Sequence, residues 1–269
     1  MDFDKLAAIS DEQEQLKALY DIFDEASRLT GQAQQIEFIT SGRAIEAALP
    51  EGAAILELGA GTGRYSHYLA ARGHQVQAVE PVPKHAQSIQ AGIKPGMALT
   101  VQTADALTAL AGMPDKRFDA VLCMGPLYHM HDEAQRLACL RECARVCKDE
   151  GLIWAAFINA DFVIATQTLL YDGGPYLDSD QYDHDSFRLP DFPFKFDRLD
   201  QAEGLIKRAG LQILRRIASD GLSELHAEKI NAFTPAQYAQ WLKYHLYTSE
   251  QPAFLGMSNH WLFALRAQP

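Results

Sequence analysis

The sequence predicts an α/β fold built on a doubly wound, mostly parallel sheet with helices on both faces. Two observations lead to this expectation. Between about residues 53 and 158, short apolar runs alternate with segments of helical periodicity, which is the order of a parallel sheet with crossover helices. The first apolar run ends in a turn crowded with glycine, as expected where a strand leads into a ligand-binding helix.

The individual elements follow from the apolar periodicity. Strands are predicted at 53–58, 75–80, 98–102, 118–124, 151–158, 211–217 and 261–266. The helices among them are predicted at 64–72, 83–91, 132–147, 200–209 and 235–248. Residues 11–49 also have helical periodicity, interrupted at Gly31. We therefore expect residues 1–50 to form an N-terminal helical cap, and residues 51–269 to form one domain.

Two segments break the alternation and are expected to be insertions, at about 159–199 and 218–252. The first is rich in aromatic residues and aspartates and has no clear period. A long irregular segment inside a domain is often a lid or a binding loop. One hypothesis is that this lid encloses a flat or cationic substrate through aromatic faces and carboxylates. The alternative is an apolar underside with a solvated acidic rim.

Charge and composition narrow the class of protein. The formal net charge is −11 and no run of Lys and Arg is present, so nucleic acid is an unfavourable partner. No apolar stretch reaches the roughly 18–20 residues that span a bilayer, and the N-terminus has no signal-peptide pattern. A cytoplasmic protein without a membrane partner is expected.

The four cysteines are expected to be packing residues. Cys139, Cys143 and Cys147 recur every four residues, which places them along one side of a predicted helix. They lack the spacing of a structural zinc site, so no metal is expected. Reduced thiols that pack as small apolar groups suit the cytosol.

A nucleotide-type ligand site is predicted where the first strand ends. The turn Gly59-Ala60-Gly61-Thr62-Gly63 lets a ligand approach the backbone, and the helix that follows directs free N–H groups toward an acidic group. Glu80 ends the second strand, 21 residues after Gly59. A carboxylate there is suited to accept both hydrogens of a ribose diol.

This G-x-G-x-G turn resembles motif I of class I S-adenosylmethionine-dependent methyltransferases, whereas a dinucleotide site would have its third glycine at Arg64. The resemblance continues at Thr103–Ala106, Phe118–Met124 and Lys148–Gly151, and it implies a seven-stranded, Rossmann-like sheet. It also implies S-adenosylmethionine as cofactor and S-adenosylhomocysteine as product. The implied cofactor-binding residues are Tyr20, Glu57, Gly59, Ala60, Gly61, Gly63, Glu80, Pro81, Asp105, Ala106, Met124 and Gly125.

Three of these residues have a second interpretation that the sequence leaves open. Glu57 is also suited to satisfy backbone donors near the turn, and Asp105 to cap a helix. Tyr20, on the N-terminal helix, either closes over the cofactor, as in similar enzymes, or packs in the core.

Candidate catalytic residues follow the fourth strand, in Gly125-Pro126-Leu127-Tyr128-His129. This segment resembles the signature of a group of bacterial class I methyltransferases, which also share Tyr65-Ser66 and the ending Leu255–His260. Tyr128 is suited to orient a methyl acceptor, and His129 is a candidate base, because imidazole titrates near neutral pH. Both residues alternatively pack the loop under the lid.

The function expected from the resemblance is methyl transfer to a small molecule. A tRNA nucleoside methyltransferase has a similar core but needs a basic face. A non-catalytic S-adenosylmethionine-binding protein and an NAD-dependent oxidoreductase also stay open, although Arg64 disfavours the oxidoreductase. The oligomeric state and the acceptor are not predicted.

Overall fold

The computed structural model describes residues 6, 8, 9, 11–22 and 31–268 and confirms the α/β fold. Its sheet has the order β3-β2-β1-β4-β5-β8-β7 and is parallel except for β8, which runs antiparallel to both neighbours. The strands are β1 (Ala54–Leu58), β2 (Gln75–Val79), β3 (Leu99–Gln102), β4 (Phe118–Cys123), β5 (Cys147–Asn159), β6 (Phe196–Asp197), β7 (Leu211–Ala218) and β8 (His260–Ala267). The two-residue β6, which pairs with β5, was not expected.

Helices cover both faces of this sheet. They are α1 (Glu12–Ile22), α2 (Gln32–Glu46), α3 (Arg64–Ala70), α4 (Pro83–Ala91), α5 (Ala106–Ala111), α6 (Glu133–Val146), α7 (Ala160–Thr166), α8 (Gly174–Leu177), α9 (Leu199–Arg208), α10 (Ala227–Asn231) and α11 (Pro235–Thr248). The predicted N-terminal helices agree with α1 and α2, and the part of that prediction at 23–30 lies outside the described residues. Among the described helices, none has the length and apolar character needed to cross a membrane.

Alternation along the strands divides the core into two layers. On β8, Trp261, Phe263 and Leu265 pack in the layer that contains α6 and α9. Leu262 and Ala264 pack in the other layer, against residues of α2, α3 and α4. Because of this alternation, the position of a polar residue along its strand determines the face of the sheet on which it lies.

The predicted irregular lid at 159–199 is more ordered than expected. Its first half forms α7, a π-helical turn (Gln167–Tyr171) and α8. Tyr176 and Tyr182 are buried and stacked on each other with ring centroids 5.3 Å apart, and Phe162 is buried too. These three aromatics support the packing alternative for the lid, because their rings are covered by the protein.

The lid's last part is attached to the body of the protein by a buried ion pair. Arg136 Nη1 of α6 donates to Asp197 Oδ1 of β6 at 3.0 Å, and both side chains are almost fully buried. Removing either partner would leave an uncompensated buried charge, so the pair connects the last part of the lid to α6.

All four cysteines are free and buried, as the packing interpretation requires. The helical placement of Cys147 was wrong, because this residue begins β5. The sulfur atoms of Cys123, Cys139 and Cys143 lie within 4.8 Å of one another in the apolar core.

Candidate functional site

The three-glycine turn joins β1 to α3 in the predicted place. Gly59, Gly61 and Gly63 have φ angles of 67°, 56° and 83°, a region that favours glycine. A side chain on Gly59 would lie 3.2 Å from the Cα of Gly125, in the turn after β4. The turns after β1 and β4 therefore touch, and they need glycine on both sides of the contact.

Glu80 links the end of β2 to this turn. Its Oε2 accepts from the Gly61 N–H at 2.7 Å, and its Oε1 accepts from the Val82 N–H at 2.8 Å. An ionised carboxylate offers about four acceptor positions, so these two bonds leave acceptor capacity for a diol. The buried side chain is thus held in one orientation beside a turn that admits a ligand.

Glu57 is a residue of β1 and comes two residues before the glycine turn. Its carboxylate accepts a hydrogen bond from the hydroxyl of Ser66, which ties β1 to α3. Burial, reinforced by the nearby charge of Glu80 and opposed by the Ser66 hydrogen bond, raises the pKa of Glu57 to about 7. The structure therefore gives Glu57 a structural partner, and its contact with a cofactor stays a prediction.

The segment after β3 contains the other predicted cofactor residues. Asp105 is the N-cap of α5, where its Oδ1 accepts from the Thr108 N–H at 2.9 Å. This cap is the second interpretation of Asp105, and its contact with a cofactor stays a prediction. Ala106 begins the helix and is buried, whereas Pro81, which follows Glu80, is partly exposed.

Tyr20 of α1 contacts two histidines at this edge. Its hydroxyl lies 3.0 Å from His129 Nε2, and its ring packs edge-on against His85, which itself approaches Glu80 with Nδ1 3.6 Å from Oε1. Lys84 Nζ of α4 forms a 2.9 Å ion pair with Asp21 of α1. The N-terminal helix is thus held beside the glycine turn. This position is compatible with both interpretations of Tyr20, closure over the cofactor and packing in the core.

Tyr128 and His129 lie at a short 3-10 turn, Pro126–Tyr128, directly after β4. The lid covers this turn: the Lys195 N–H donates to the Tyr128 carbonyl at 2.8 Å, and Phe194 packs against both rings. Phe194 is therefore the lid aromatic that the structure brings to the predicted catalytic residues.

Burial, together with the nearby charge of His131, lowers the pKa of His129 to about 3. A neutral imidazole with so low a pKa is a weak base at neutral pH. His129 is better suited to hold Tyr20 through their hydrogen bond than to accept a proton from an acceptor.

We expect the His129 ring to stay neutral from pH 8 down to pH 4, because burial and the nearby charge of His131 disfavour the charged form. Imidazole ¹⁵N chemical shifts, assigned with a His129→Gln variant, measure this directly. In Tyr20→Phe, which keeps the ring but loses the hydroxyl, the His129 resonance alone is expected to move. A His129 resonance that titrates between pH 5 and 8 would restore this residue as a base.

Sequence reasoning missed a second polar cluster at the same edge. His260 Nδ1, on the first residue of β8, lies 2.8 Å from Asp220 Oδ2, and Asp220 follows β7. Glu37 of α2 approaches the same ring nitrogen at 3.9 Å. The resemblance at Leu255–His260 was the available signal, but it does not reveal partners that come from two other parts of the chain.

A family of known proteins matches the part of the chain that contains this site. Residues 55–151 match the family model described as a methyltransferase domain. This match begins in β1 and ends within β5, so it contains the glycine turn, Glu80, Asp105 and the Tyr128–His129 segment.

A relative from Xanthomonas axonopodis pv. citri, named ubiquinone biosynthesis O-methyltransferase, is 33% identical over 116 residues. The alignment covers 41% of this chain and 45% of the relative, so the chain spans less than half the length of the curated relatives it matches.

Two solved structures share the fold over nearly the whole chain. The PH0226 protein from Pyrococcus horikoshii has a TM-score of 0.63 at 14% identity, covering 94% of this chain and 99% of the other. A 1,6-didemethyltoxoflavin-N1-methyltransferase from Burkholderia thailandensis has a TM-score of 0.55 at 16% identity, covering 100% and 92%. The predicted Rossmann-like α/β fold is thereby confirmed.

Proposed function

We propose that this chain is an S-adenosylmethionine-dependent methyltransferase that acts on a small molecule. The observation that carries the proposal is the buried carboxylate of Glu80, held at 2.7 Å from the Gly61 N–H beside the three-glycine turn. The methyltransferase-domain match over residues 55–151 supports the same activity. The proposal includes membership of the bacterial group that has the Gly-Pro-Leu-Tyr-His segment.

The residues present fit this cofactor. The turn at Gly59–Gly63 would receive its amino-acid part, because glycine lets a ligand approach the backbone closely, and Glu80 would hold its ribose and Asp105 its adenine. Met124 and Gly125, at the end of β4, would lie beside the reacting centre, because Gly125 already touches the glycine turn. When bound, the cofactor would supply a methyl group carried on a sulfonium. Loss of the methyl group leaves a neutral thioether, so this leaving group does not need a proton from an acid.

The protein then has to align the acceptor and keep water away from it. Tyr128 and Phe194 pack against each other at the turn after β4, and Tyr20 is linked to this turn by its hydrogen bond with His129. These side chains would orient the acceptor and cover the reacting atoms.

A small-molecule acceptor is favoured over tRNA by the net charge of −11, which opposes a phosphate backbone. Calorimetry with S-adenosylhomocysteine tests the cofactor, and binding in the micromolar range is expected. Labelled S-adenosylmethionine then tests the acceptor, offered in parallel with a metabolite extract and with bulk tRNA. Label in tRNA would support the nucleoside alternative, and failure to bind S-adenosylhomocysteine would remove the proposal.

A further inference from the structure

A cavity of about 580 Å³ lies between the last part of the lid, α6 and α9. This volume is within the range of small-molecule pockets, about 300–1,000 Å³. No residue predicted for the cofactor or for catalysis is among the described residues that line it. The cavity is therefore a candidate for a second ligand site.

Basic side chains outnumber acidic ones around this cavity. The charged residues that line it are the basic Arg136, Arg188, Lys195, Arg198 and Arg208 and the acidic Glu133, Asp191 and Asp197. Each of the three acids already forms an ion pair with one of these cations. The pairs leave the guanidinium groups of Arg188 and Arg198, in a chain whose net charge is −11.

These two guanidinium groups come from the same part of the lid. Arg198 Nη2 donates to the Ser186 carbonyl at 2.6 Å, two residues before Arg188. Outside the lining residues, Arg198 approaches Asp161 at 3.3 Å. Hydrogen bonds from Ser186 and the charge of Arg188 lower the pKa of Asp183. Both of these aspartates are exposed, so water screens their attraction for the arginines and leaves them able to bind another anion.

Arg136 adds a buried positive charge to the cavity lining. The side chain is 3% exposed, and its Nε has no hydrogen-bond partner in the part of the chain that the structure describes. The carboxylate of Asp197 accepts from the other two guanidinium nitrogens. Because little water surrounds this guanidinium, its charge acts on an anion in the cavity with less screening than a surface charge would.

The cavity also has an apolar rim. Phe187 lines it with a ring that is 53% exposed, although its φ of 54° is a backbone conformation that bulky residues seldom adopt. Leu189 and Pro190 continue this rim along the lid. Exposed apolar side chains beside two arginines suit a ligand that has both an apolar body and an anionic group.

We propose that this cavity binds a small organic carboxylate, whose charge is held by Arg188 and Arg198 and whose apolar part rests on Phe187. A planar carboxylate matches the fork of a guanidinium. A single negative charge is enough, because the other three cations are already paired. The site does not depend on the proposed methyltransferase function.

Calorimetry tests the ligand class with 3-phenylpropionate and 3-phenylpropionamide, which share a carbon skeleton but differ in charge. The carboxylate is expected to bind at least about tenfold more tightly than the amide, because its hydrogen bonds to arginine are charge-assisted. Inorganic phosphate, an anion without an apolar part, should also bind more weakly than the carboxylate. Equal affinities for carboxylate and amide overturn the proposal, and so does displacement of 3-phenylpropionate by S-adenosylhomocysteine.

Two variants test the charge and the ring separately. Arg188→Gln should weaken 3-phenylpropionate binding at least about fivefold and leave amide binding unchanged. The matched control is Arg117→Gln, at an exposed arginine that precedes β4 and does not line the cavity. Phe187→Asn removes the ring but suits a positive φ, so it should weaken both probes without lowering Tm. Wild-type carboxylate affinity in Arg188→Gln would show that the anion binds elsewhere.

Amide hydrogen exchange locates the bound probe without any assay of methyl transfer. The Lys195 N–H donates to the Tyr128 carbonyl at 2.8 Å, and Lys195 also lines the cavity. A ligand that fastens the lid to α9 should therefore slow exchange of this amide. Saturating 3-phenylpropionate is expected to do so in the wild type and in Arg117→Gln, but not in Arg188→Gln. If the probe binds and this amide exchanges at its original rate, the assignment to the lid cavity fails.

Discussion

Replacing Glu80 with alanine is expected to weaken S-adenosylhomocysteine binding by roughly 5- to 150-fold, which corresponds to about 1–3 kcal/mol. The reason is that this carboxylate combines two tasks. It would accept the hydrogen bonds of the ribose diol, and it already accepts the Gly61 and Val82 N–H groups that shape the ligand-binding turn. Calorimetry measures the affinity directly.

The experiment needs variants that separate ligand binding from folding. Glu80→Gln keeps the size of the side chain but replaces one acceptor oxygen by a donor, so it should lose most of the same affinity with a smaller loss in Tm. Glu51→Ala, at an exposed acid that precedes β1 and lies at the opposite sheet edge, is the matched control. Wild-type affinity in Glu80→Gln would show that this acid does not bind the ribose.

The nucleotide site could be predicted because its parts are close in the chain. A buried strand, the turn at Gly59–Gly63, a helix and the terminal Glu80 all lie within about thirty residues, and their spacing follows from the geometry of a parallel β-α-β unit. The structure places Glu80 against Gly61 as that geometry requires. Roles that depend on local backbone, such as the N-cap at Asp105, were predictable for the same reason.

The His260 cluster could not be predicted in this way. Glu37 and His260 are more than two hundred residues apart, and they meet because α2 packs over the sheet face that Leu262 and Ala264 share with His260. No periodicity within one segment records such a contact. The same applies to Tyr20 and His129, whose hydrogen bond joins residues separated by 109 positions.

The lid shows a different limit of sequence reasoning. Its aromatics and aspartates suggested a substrate enclosure, but composition does not say which rings face inward. Tyr176 and Tyr182 stack on each other, whereas Phe194 reaches the turn after β4. β6 is too short to give a pattern, and its Asp197 pairs with Arg136, which lies 61 residues away in the chain.

Replacing Glu57 with glutamine is expected to remove a pH dependence of about 3 kcal/mol from the free energy of unfolding. The folded pKa of Glu57 is raised to about 7 from an ordinary value of 4.5. Between these two values the folded protein keeps the proton and the unfolded chain has lost it. The contribution of Glu57 to the free energy of unfolding is therefore greatest below pH 4.5, decreases as the pH rises to about 7, and is constant above pH 7. Each pKa unit corresponds to about 1.4 kcal/mol, which gives the stated size.

The measurement is the difference in urea-unfolding free energy between variant and wild type from pH 4.5 to 8, since other titrating groups cancel in that difference. The amide adds a constant cost, because it brings two N–H donors to a buried position where a protonated carboxyl brings one, but this cost does not vary with pH. The free energy of unfolding of the variant, relative to that of the wild type, should therefore increase as pH rises. Glu51→Gln is the exposed control, and a pH-independent difference for Glu57→Gln would contradict the raised pKa.

The charge of Glu80 supplies a second check on the same group. That charge is one of the causes of the raised pKa of Glu57, so Glu80→Gln should move the midpoint of the stability change to lower pH. Burial is the larger cause, and a reduced but clear pH dependence should remain. If Glu80→Gln abolishes the dependence, repulsion between the two carboxylates dominates. The pKa of Glu57 would then be raised mainly by its interaction with Glu80, and not mainly by burial.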